Sequence, residues 1–318
     1  MSDLLKLKRA SLFCLGLIFF LFPGQNYYLT ARVDFKPSAV RSFEFDLPTP
    51  ALYPLNFTGE NPPNLTARSV VVMDKNSSVV MYSKNEKVWF LPASTVKIMT
   101  ALVALDYYQP NDILLVGKIE PHGQKMKLVK GEKIAALNLL YGLLVASAND
   151  AALVLAENYP GGLTAFVAAM NKKAAEFHLN NTYFANPTGL DSDEEGKFLT
   201  DFSYTTALDL AYLAKEAFKN PLFSKIIATE KITVSDISGK IVHQLFNLNQ
   251  LLGKIEGIKG GKTGWTEEAG ECLVSYVERN SQGIITVILG SKDRFGETEK
   301  LVNWAFSNHR WIDVTPSI

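Results

Sequence analysis

Two patterns of apolar residues follow one another along the chain and predict a mixed fold. Short β-branched runs around a turn, in SVVVMDKNSSVVMYSKN (69–85), predict a hairpin. From about residue 91 to 212, apolar residues recur at helical spacing, as Ile98, Leu102 and Leu105 do. The strand pattern returns in ECLVSYVERNSQGIITVILGS (271–291), a second hairpin, and an amphipathic helix follows over 297–309.

The order of these elements predicts the architecture. Tight hairpins imply an antiparallel sheet, and the final helix can cover one face of it. We therefore expect an α/β fold of the α+β type: an antiparallel sheet flanked by helices, with an inserted all-helical subdomain. Within the later part of the chain, NLNQLL (247–252) also has a helical pattern.

The N-terminal residues have the pattern of an export signal. Three cations, the last of them Arg9, precede an apolar run at Ala10–Phe22. No small-residue cleavage motif follows, so residues 1–24 are predicted to be a signal peptide or an uncleaved membrane anchor. Residues 25–64 are rich in proline and predict an extended spacer, and 65–318 the folded domain. The expected location is the periplasm or the outer face of the cytoplasmic membrane.

The stretch GIKGGKTGW (257–265) matches the end of the phosphate-binding loop motif, but the surrounding sequence does not fit such a loop. Lys plus Arg and Asp plus Glu both number 32, which gives no electrostatic case for nucleic acid. A phosphate loop would need glycine at Glu256, and a helix rather than a strand after the motif. Lys262 and Thr263 instead suit a carboxylate, Gly264 leaves room for a substrate backbone, and the Trp265 amide can face a reacting carbonyl.

A second candidate site begins at the predicted helix after Pro92. Ser94 and Lys97 are three residues apart and share one helix face, so their side chains can meet. A lysine acts as a base only when burial or a nearby cation lowers its pKa. Such a pair is also common by chance, and an ordinary first helical turn with a solvated lysine explains it equally well.

The third candidate lies between two helical patterns, in LLVASANDAALVLAE (143–157). Ser147 and Asn149 could relay a proton and bind a substrate amide. Taken alone, the motif is better explained by helix capping, for which Asp150 is also placed.

Taken together and in this order, Ser-x-x-Lys, Ser-x-Asn and Lys-Thr-Gly form the motif set of serine penicillin-recognising enzymes. The surrounding sequence resembles the D-alanyl-D-alanine carboxypeptidases of the low-molecular-mass penicillin-binding proteins, the S11 peptidase family. The resemblance covers about residues 65–310 and is carried by PASTVKIMTA (92–101), LLYGLLVASANDAA (139–152), NPTGLD (186–191) and GIKGGKTGWTEEAGECLV (257–274).

The resemblance implies a β-lactamase/DD-peptidase-like fold and a role for each catalytic motif residue. Ser94 is the implied acyl-enzyme nucleophile and Lys97 its general base. Ser147 is the implied proton shuttle to the departing D-alanine. The implied substrate is a peptidoglycan stem peptide ending in D-Ala-D-Ala, and β-lactams are the implied inhibitors.

The remaining motif residues are implied to bind substrate. Asn149 would orient the peptide, Lys262 and Thr263 would bind its terminal carboxylate, and the amides of Ser94 and Trp265 would form the oxyanion hole. No metal or cofactor is expected, and the four histidines are scattered. The chain departs from the family at Ala148, often glycine, and at Trp265. No C-terminal β-domain is expected within 65–318, so the N-terminal segment is the implied membrane contact.

Three other functions fit parts of this pattern. A DD-endopeptidase would use the same site. A class A-like β-lactamase is disfavoured, because no Glu-x-x-Leu-Asn loop lies between the second and third motifs. A non-catalytic peptidoglycan-binding scaffold is disfavoured because it has no reason to retain both serines and both lysines of the motifs.

Overall fold

A five-stranded antiparallel sheet forms the centre of the fold. The computed structural model describes residues 52–119, 122–193 and 195–314, and these belong to one unit, 49–318. Its strands are β1 Tyr53–Asn56, β2 Ser69–Asp74, β3 Val80–Lys84, β4 Ile113–Leu115, β5 Lys133–Ala135, β6 Lys231–Ser235, β7 Val242–Phe246, β8 Ile258–Thr266, β9 Gly270–Arg279, β10 Gln282–Ser291 and β11 His309–Ile312. The central sheet has the order β3-β2-β10-β9-β8. Both predicted hairpins, β2–β3 and β9–β10, are confirmed.

Helices lie against both faces of this sheet. They are α1 Lys97–Tyr107, α2 Ala136–Leu144, α3 Asn149–Glu157, α4 Gly162–Glu176, α5 Ala207–Ala217, α6 Pro221–Ile227 and α7 Arg294–Asn308, and a 3-10 turn, Ala93–Val96, precedes α1. Alternation along β2 divides the core. Val70 and Val72 pack with Leu301 of α7, whereas Val71 and Met73 join the larger core of the inserted helices. The predicted α+β fold is thereby confirmed.

The insertion between β3 and β8 contains strands as well as helices. Two short antiparallel pairs, β4–β5 and β6–β7, lie within it. In β4 only Leu114 is buried, while Ile113 and Leu115 are about half exposed. Three-residue strands give too short an alternation to be distinguished from a helical pattern in the sequence.

The predicted helix at 247–252 is wrong. These residues form turns between β7 and β8. The Asn247 side chain accepts a bond from the Asn249 amide, and the Asn249 side chain accepts one from the Leu251 amide. Such local bonds satisfy the backbone without a helix, and Leu251 is still buried.

The residues just before the predicted domain also pack on it. β1 pairs with β11, and the Trp304 indole donates to Glu60 O at 3.0 Å. The last part of the predicted spacer, 52–64, therefore belongs to the folded unit, because these contacts satisfy its backbone. The predicted export segment, 1–24, and the rest of the spacer lie outside the described residues.

Candidate active site

The predicted nucleophile and base meet at the start of α1. Ser94 lies in the 3-10 turn, and the Lys97 ammonium is 2.9 Å from its hydroxyl oxygen. The same ammonium donates to Thr188 O at 2.6 Å. Lys97 is fully buried, so its long side chain is fixed between these two acceptors rather than solvated. This arrangement differs from an ordinary first turn.

Burial is the largest influence on the charge of Lys97. It lowers the pKa of the amine well below its usual value, the nearby Lys262 lowers it further, and Asp150 opposes both effects. A lowered pKa makes the neutral amine easier to reach than it is for a solvated lysine. The neutral amine can then accept the proton of a hydroxyl that lies within hydrogen-bond distance.

A second serine–lysine pair crosses the fold. Ser147 lies in the bend between α2 and α3 in the left-handed region, with φ +57°. The Lys262 ammonium on β8 donates to the Ser147 hydroxyl and to Thr263 O, both at 2.8 Å. Burial, followed by the charge of Arg294, lowers the pKa of Lys262 to about 7. The predicted convergence of Lys97 and Lys262 is therefore present.

Asn149 begins α3 and faces the segment 122–128. Its side-chain amide donates to His122 O at 2.7 Å, and its backbone amide donates to Gln124 O at 2.7 Å. Its Oδ1 is buried and has no hydrogen-bond partner in the described ranges. A buried orphan acceptor is costly, so this atom is suited to accept a donor from a bound ligand.

The predicted capping role of Asp150 is wrong. The N-cap position of α3 is Ala148, whose side chain accepts no bond, and Asp150 lies inside the helix. Its carboxylate accepts bonds from the amides of Met126 and Leu128, each at 3.0 Å. It therefore fixes the segment 122–128 beside the Asn149 side chain. An aspartate near a helix start can cap the helix or bind a distant segment, and the local sequence is the same in both cases.

Gly264 allows a close approach between β8 and the turn before α1. A Cβ at this position would lie 3.1 Å from both Pro92 O and Ser94 N. Its small size thus lets β8 approach the turn that carries Ser94, and the predicted room for a substrate backbone stays a prediction. Trp265 follows on the same strand and is 62% exposed.

These elements enclose an open cleft of about 400 Å³. Ser94, Ser147 and Asn149 line it, and Lys97 and Lys262 lie buried beside the two serines. The other lining residues are His122, Gly123, Gln124, Leu190, Ser192, Leu248, Thr263, Gly264, Trp265, Thr266, Glu267 and Arg294. All eight predicted site residues thus lie in or next to one cleft.

Arg294 is a site residue that the sequence reasoning missed. It starts α7, and its guanidinium donates to Gly264 O at 2.8 Å while it lines the cleft. Its Nε has no partner among the described residues. An arginine at this place adds a cationic group whose chemistry suits a carboxylate. It belongs to none of the three motifs, so no local signal in the sequence marks it.

The turn 186–189 positions the carbonyl oxygen that accepts a bond from Lys97. The Asn186 side chain accepts bonds from the amides of Thr188 and Gly189, which directs Thr188 O to Lys97. A Cβ at Gly189 would lie 2.0 Å from Ala93 O, and its φ is +82°. Only glycine fits both constraints. The sequence pointed to this stretch through the resemblance alone.

The chain matches one protein family over most of its length. Residues 56–293 match the peptidase S11 family, described as D-alanyl-D-alanine carboxypeptidase. The D-alanyl-D-alanine carboxypeptidase DacF of Bacillus subtilis is 34% identical over 253 residues, which cover 76% of this chain and 63% of that protein. The D-alanyl-D-alanine endopeptidase of Pseudomonas aeruginosa is 35% identical over 248 residues, covering 76% and 77% of the two chains. The chain therefore spans less than two thirds of the DacF relative.

The chain is also similar in structure to solved DD-peptidases. A mutant form of the Streptomyces K15 DD-transpeptidase has a TM-score of 0.71 and 28% identity, covering 77% of this chain and 99% of that one. The D-alanyl-D-alanine carboxypeptidase of Mycobacterium tuberculosis H37Rv has a TM-score of 0.71 and 28% identity, covering 81% and 95%. With its two serine–lysine pairs in one cleft, the chain belongs to the D-alanyl-D-alanine carboxypeptidase family, peptidase S11.

Proposed function

We propose that this protein removes the terminal D-alanine from peptidoglycan stem peptides through an acyl-enzyme on Ser94. The observation that carries the proposal is the pairing of Ser94 with buried Lys97 at 2.9 Å, opposite the pairing of Ser147 with Lys262 at 2.8 Å. One pair supplies an activated nucleophile, and the other supplies a hydroxyl that can deliver a proton to a leaving amine.

In the acylation step, Ser94 Oγ attacks the carbonyl carbon of the penultimate D-alanine. Lys97 takes the hydroxyl proton, and the oxyanion forms against the amides of Ser94 and Trp265. The C–N bond then breaks, and Ser147 passes its proton to the nitrogen of the departing D-alanine. Ser147 recovers a proton from Lys97, which leaves Lys97 neutral for the next step. Water attacks the ester carbon with Lys97 as base, which releases the shortened peptide and restores the Ser94 hydroxyl.

The β8 side of the cleft would bind the terminal carboxylate. Lys262, Thr263 and Arg294 bring one hydroxyl and two cationic groups to this side. Asn149 Oδ1 would accept the amide of the substrate backbone, which would give this buried atom its hydrogen-bond partner. A β-lactam has an acyl bond and a carboxylate in a related arrangement, so it would acylate Ser94 and remain attached.

The test of this proposal is D-alanine release from a peptide ending in D-Ala-D-Ala. We expect release by the wild type and a fall to background in Ser94→Ala, with fluorescent penicillin labelling only the wild type. Thr95→Ala is a neighbouring control that keeps the nucleophile. D-alanine release by Ser94→Ala at the wild-type rate would contradict the mechanism. Rapid turnover of nitrocefin without a stable adduct would instead favour the β-lactamase.

A DD-endopeptidase is the second candidate function. The Pseudomonas aeruginosa relative carries that name at 35% identity, and a similar name is carried by a relative from Escherichia coli. Both reactions break a bond after the penultimate D-alanine carbonyl, and they differ only in the leaving amine. Incubation with a cross-linked dimer of stem peptides, one of which ends in D-Ala-D-Ala, separates them, because an endopeptidase yields monomers whereas a carboxypeptidase yields free D-alanine.

The proposed substrate requires a location outside the cytoplasm, and the cationic and apolar N-terminal residues support export. No helix in the described ranges is long and apolar enough to cross a bilayer. A fusion of residues 1–64 to alkaline phosphatase tests the proposal, since the reporter is active only after export. Loss of reporter activity on replacing Lys6, Lys8 and Arg9 with glutamate would support an export signal, and an inactive parent fusion would contradict it.

A further inference from the structure

Three aromatic rings form a row on the surface, which we name the aromatic row: Trp89, Tyr204 and Tyr183. The rings of Trp89 and Tyr204 have centroids 4.9 Å apart and planes inclined by 31°. Those of Tyr204 and Tyr183 are 5.7 Å apart and inclined by 32°. Trp89 is 63% exposed, the largest exposed fraction among the large apolar side chains in the described ranges.

Backbone pairing holds the aromatic row in place. Phe90 and Thr205 exchange two backbone hydrogen bonds, and Tyr183 and Tyr204 exchange two more. The ring positions are therefore set before any ligand arrives, which lowers the entropic cost of binding. A tryptophan this exposed contributes little to folding, so its stacked position calls for another explanation.

The aromatic row lies near the nucleophile. Trp89 precedes Ser94 by five residues, 94 − 89, so their Cα atoms are at most about 18 Å apart. At the other end of the row, Tyr183 precedes Thr188 by five residues, 188 − 183, and Thr188 O accepts a bond from the Lys97 ammonium. A stem peptide of four or five extended residues spans about 13 to 18 Å. The sugar that carries such a peptide can thus reach the row while its far end occupies the cleft.

The chemistry of the row suits a pyranose ring. The C–H face of a sugar is apolar and weakly positive, and it is attracted to the negative face of an aromatic ring. The Asp201 side chain is hydrogen-bonded to Tyr183, so carboxylate oxygens that can accept bonds from sugar hydroxyls lie at this end. A negative group there disfavours anionic lipid headgroups, which would need cations.

We propose that the aromatic row binds the glycan strand of peptidoglycan, with a saccharide stacked on Trp89. This inference rests on the proposed function, since it assigns the sugar part of that same substrate. It predicts that the enzyme distinguishes a stem peptide carried on sugar from the identical free peptide.

The test compares two substrates: a pentapeptide ending in D-Ala-D-Ala, free or attached to its N-acetylglucosamine–N-acetylmuramic acid disaccharide. For the wild type we expect a KM about three- to tenfold lower with the disaccharide. In Trp89→Ala this advantage is lost, whereas kcat and KM for the free peptide stay unchanged. Trp89→Phe keeps a ring and retains part of the advantage, and Val88→Ala, also exposed, retains all of it.

Equal KM values for both substrates in the wild type would overturn the inference while leaving the proposed function intact. Failure of the wild type to process either substrate would contradict the proposed function instead. Binding of N-acetylglucosamine oligomers to Ser94→Ala, followed by isothermal titration calorimetry, tests the row without turnover. We expect binding that Trp89→Ala abolishes, and absence of binding would count against the row. Weaker sedimentation of Trp89→Ala with phosphatidylglycerol vesicles, with no effect on sugar, would assign the row to lipid and refute the inference.

Discussion

The two serine–lysine pairs of the cleft have nearly the same geometry but different origins. Ser94 and Lys97 are three residues apart, and one helical turn is enough to bring them to 2.9 Å. Ser147 and Lys262 are 115 residues apart and meet at 2.8 Å only because β8 packs beside the bend between α2 and α3. One pair is therefore a product of local structure and the other of the whole fold.

The pairs also differ in how their lysines are charged. Lys97 has its pKa lowered well below the usual value by burial and then by Lys262, whereas the pKa of Lys262 falls to about 7. Lys97 is thus suited to take a proton, and Lys262 to keep one when a carboxylate is bound. Because Lys262 also acts on Lys97, the long-range pair adjusts the local one.

The largest effect is expected when Lys97, the lysine of the local pair, is replaced. In Lys97→Met we expect acylation by fluorescent penicillin to slow by about 10³- to 10⁴-fold, because the Ser94 hydroxyl loses its proton acceptor. Stopped-flow labelling measures this rate. Thermal unfolding serves as the folding control, since the substitution also leaves Thr188 O without its donor. Labelling at the wild-type rate by a folded Lys97→Met would remove Lys97 from the mechanism.

A smaller effect is expected for the long-range lysine, and it should depend on the substrate. In Lys262→Met, kcat/KM for a peptide ending in a D-Ala carboxylate falls by about 10²-fold, because a charged hydrogen bond is lost. The same peptide ending in an amide is a poor substrate for both proteins and separates them far less. Steady-state kinetics on both peptides measures this, and an equal loss on each would deny Lys262 a role in carboxylate binding.

The turn that joins the base to the nucleophile is tested through stability. Gly189→Ala places a Cβ against Ala93 O at a φ of +82°, and we expect a loss of about 2–4 kcal/mol in the free energy of unfolding. Gly196 is the matched control, because its φ is +80° and no atom lies within 4 Å of its added Cβ. Gly196→Ala should cost about 1 kcal/mol. Equal losses in urea denaturation would mean that contact with the nucleophile turn is unimportant.

The smallest effect is a displacement of the pH profile. Below about pH 7 Lys262 is protonated and can bind the carboxylate, and as pH rises through its pKa this charge is lost, so kcat/KM falls on the alkaline side. The charge of Arg294 lowers this pKa, and Arg294→Gln therefore moves the alkaline limb to higher pH. Lys292→Gln removes an exposed charge nearby and should leave the limb in place. If the alkaline limb does not move in Arg294→Gln, the charge of Arg294 does not influence the pKa of Lys262.

The sequence predicted the central elements well because their signals are local. Alternation in β2 and β9 indicated the hairpins, and the spacing of Ser94 and Lys97 indicated their contact. It failed at 247–252, where asparagine side chains replaced a helix with turns, and at Asp150, which anchors a distant segment instead of a cap. In both cases a polar side chain accepts hydrogen bonds from backbone amides, and the pattern of apolar residues carries no information about such bonds.

By itself, the sequence indicated which residues we propose to carry the chemistry, and the order in which they occur. Only the tertiary structure decided that Lys262 reaches Ser147, that Arg294 joins the cleft, and that Gly264 and Gly189 admit close approach to the nucleophile turn. The physical reason is distance. Periodicity and helical spacing act over a few residues, whereas burial, charge and contact depend on which surfaces of a sheet and its inserted helices meet.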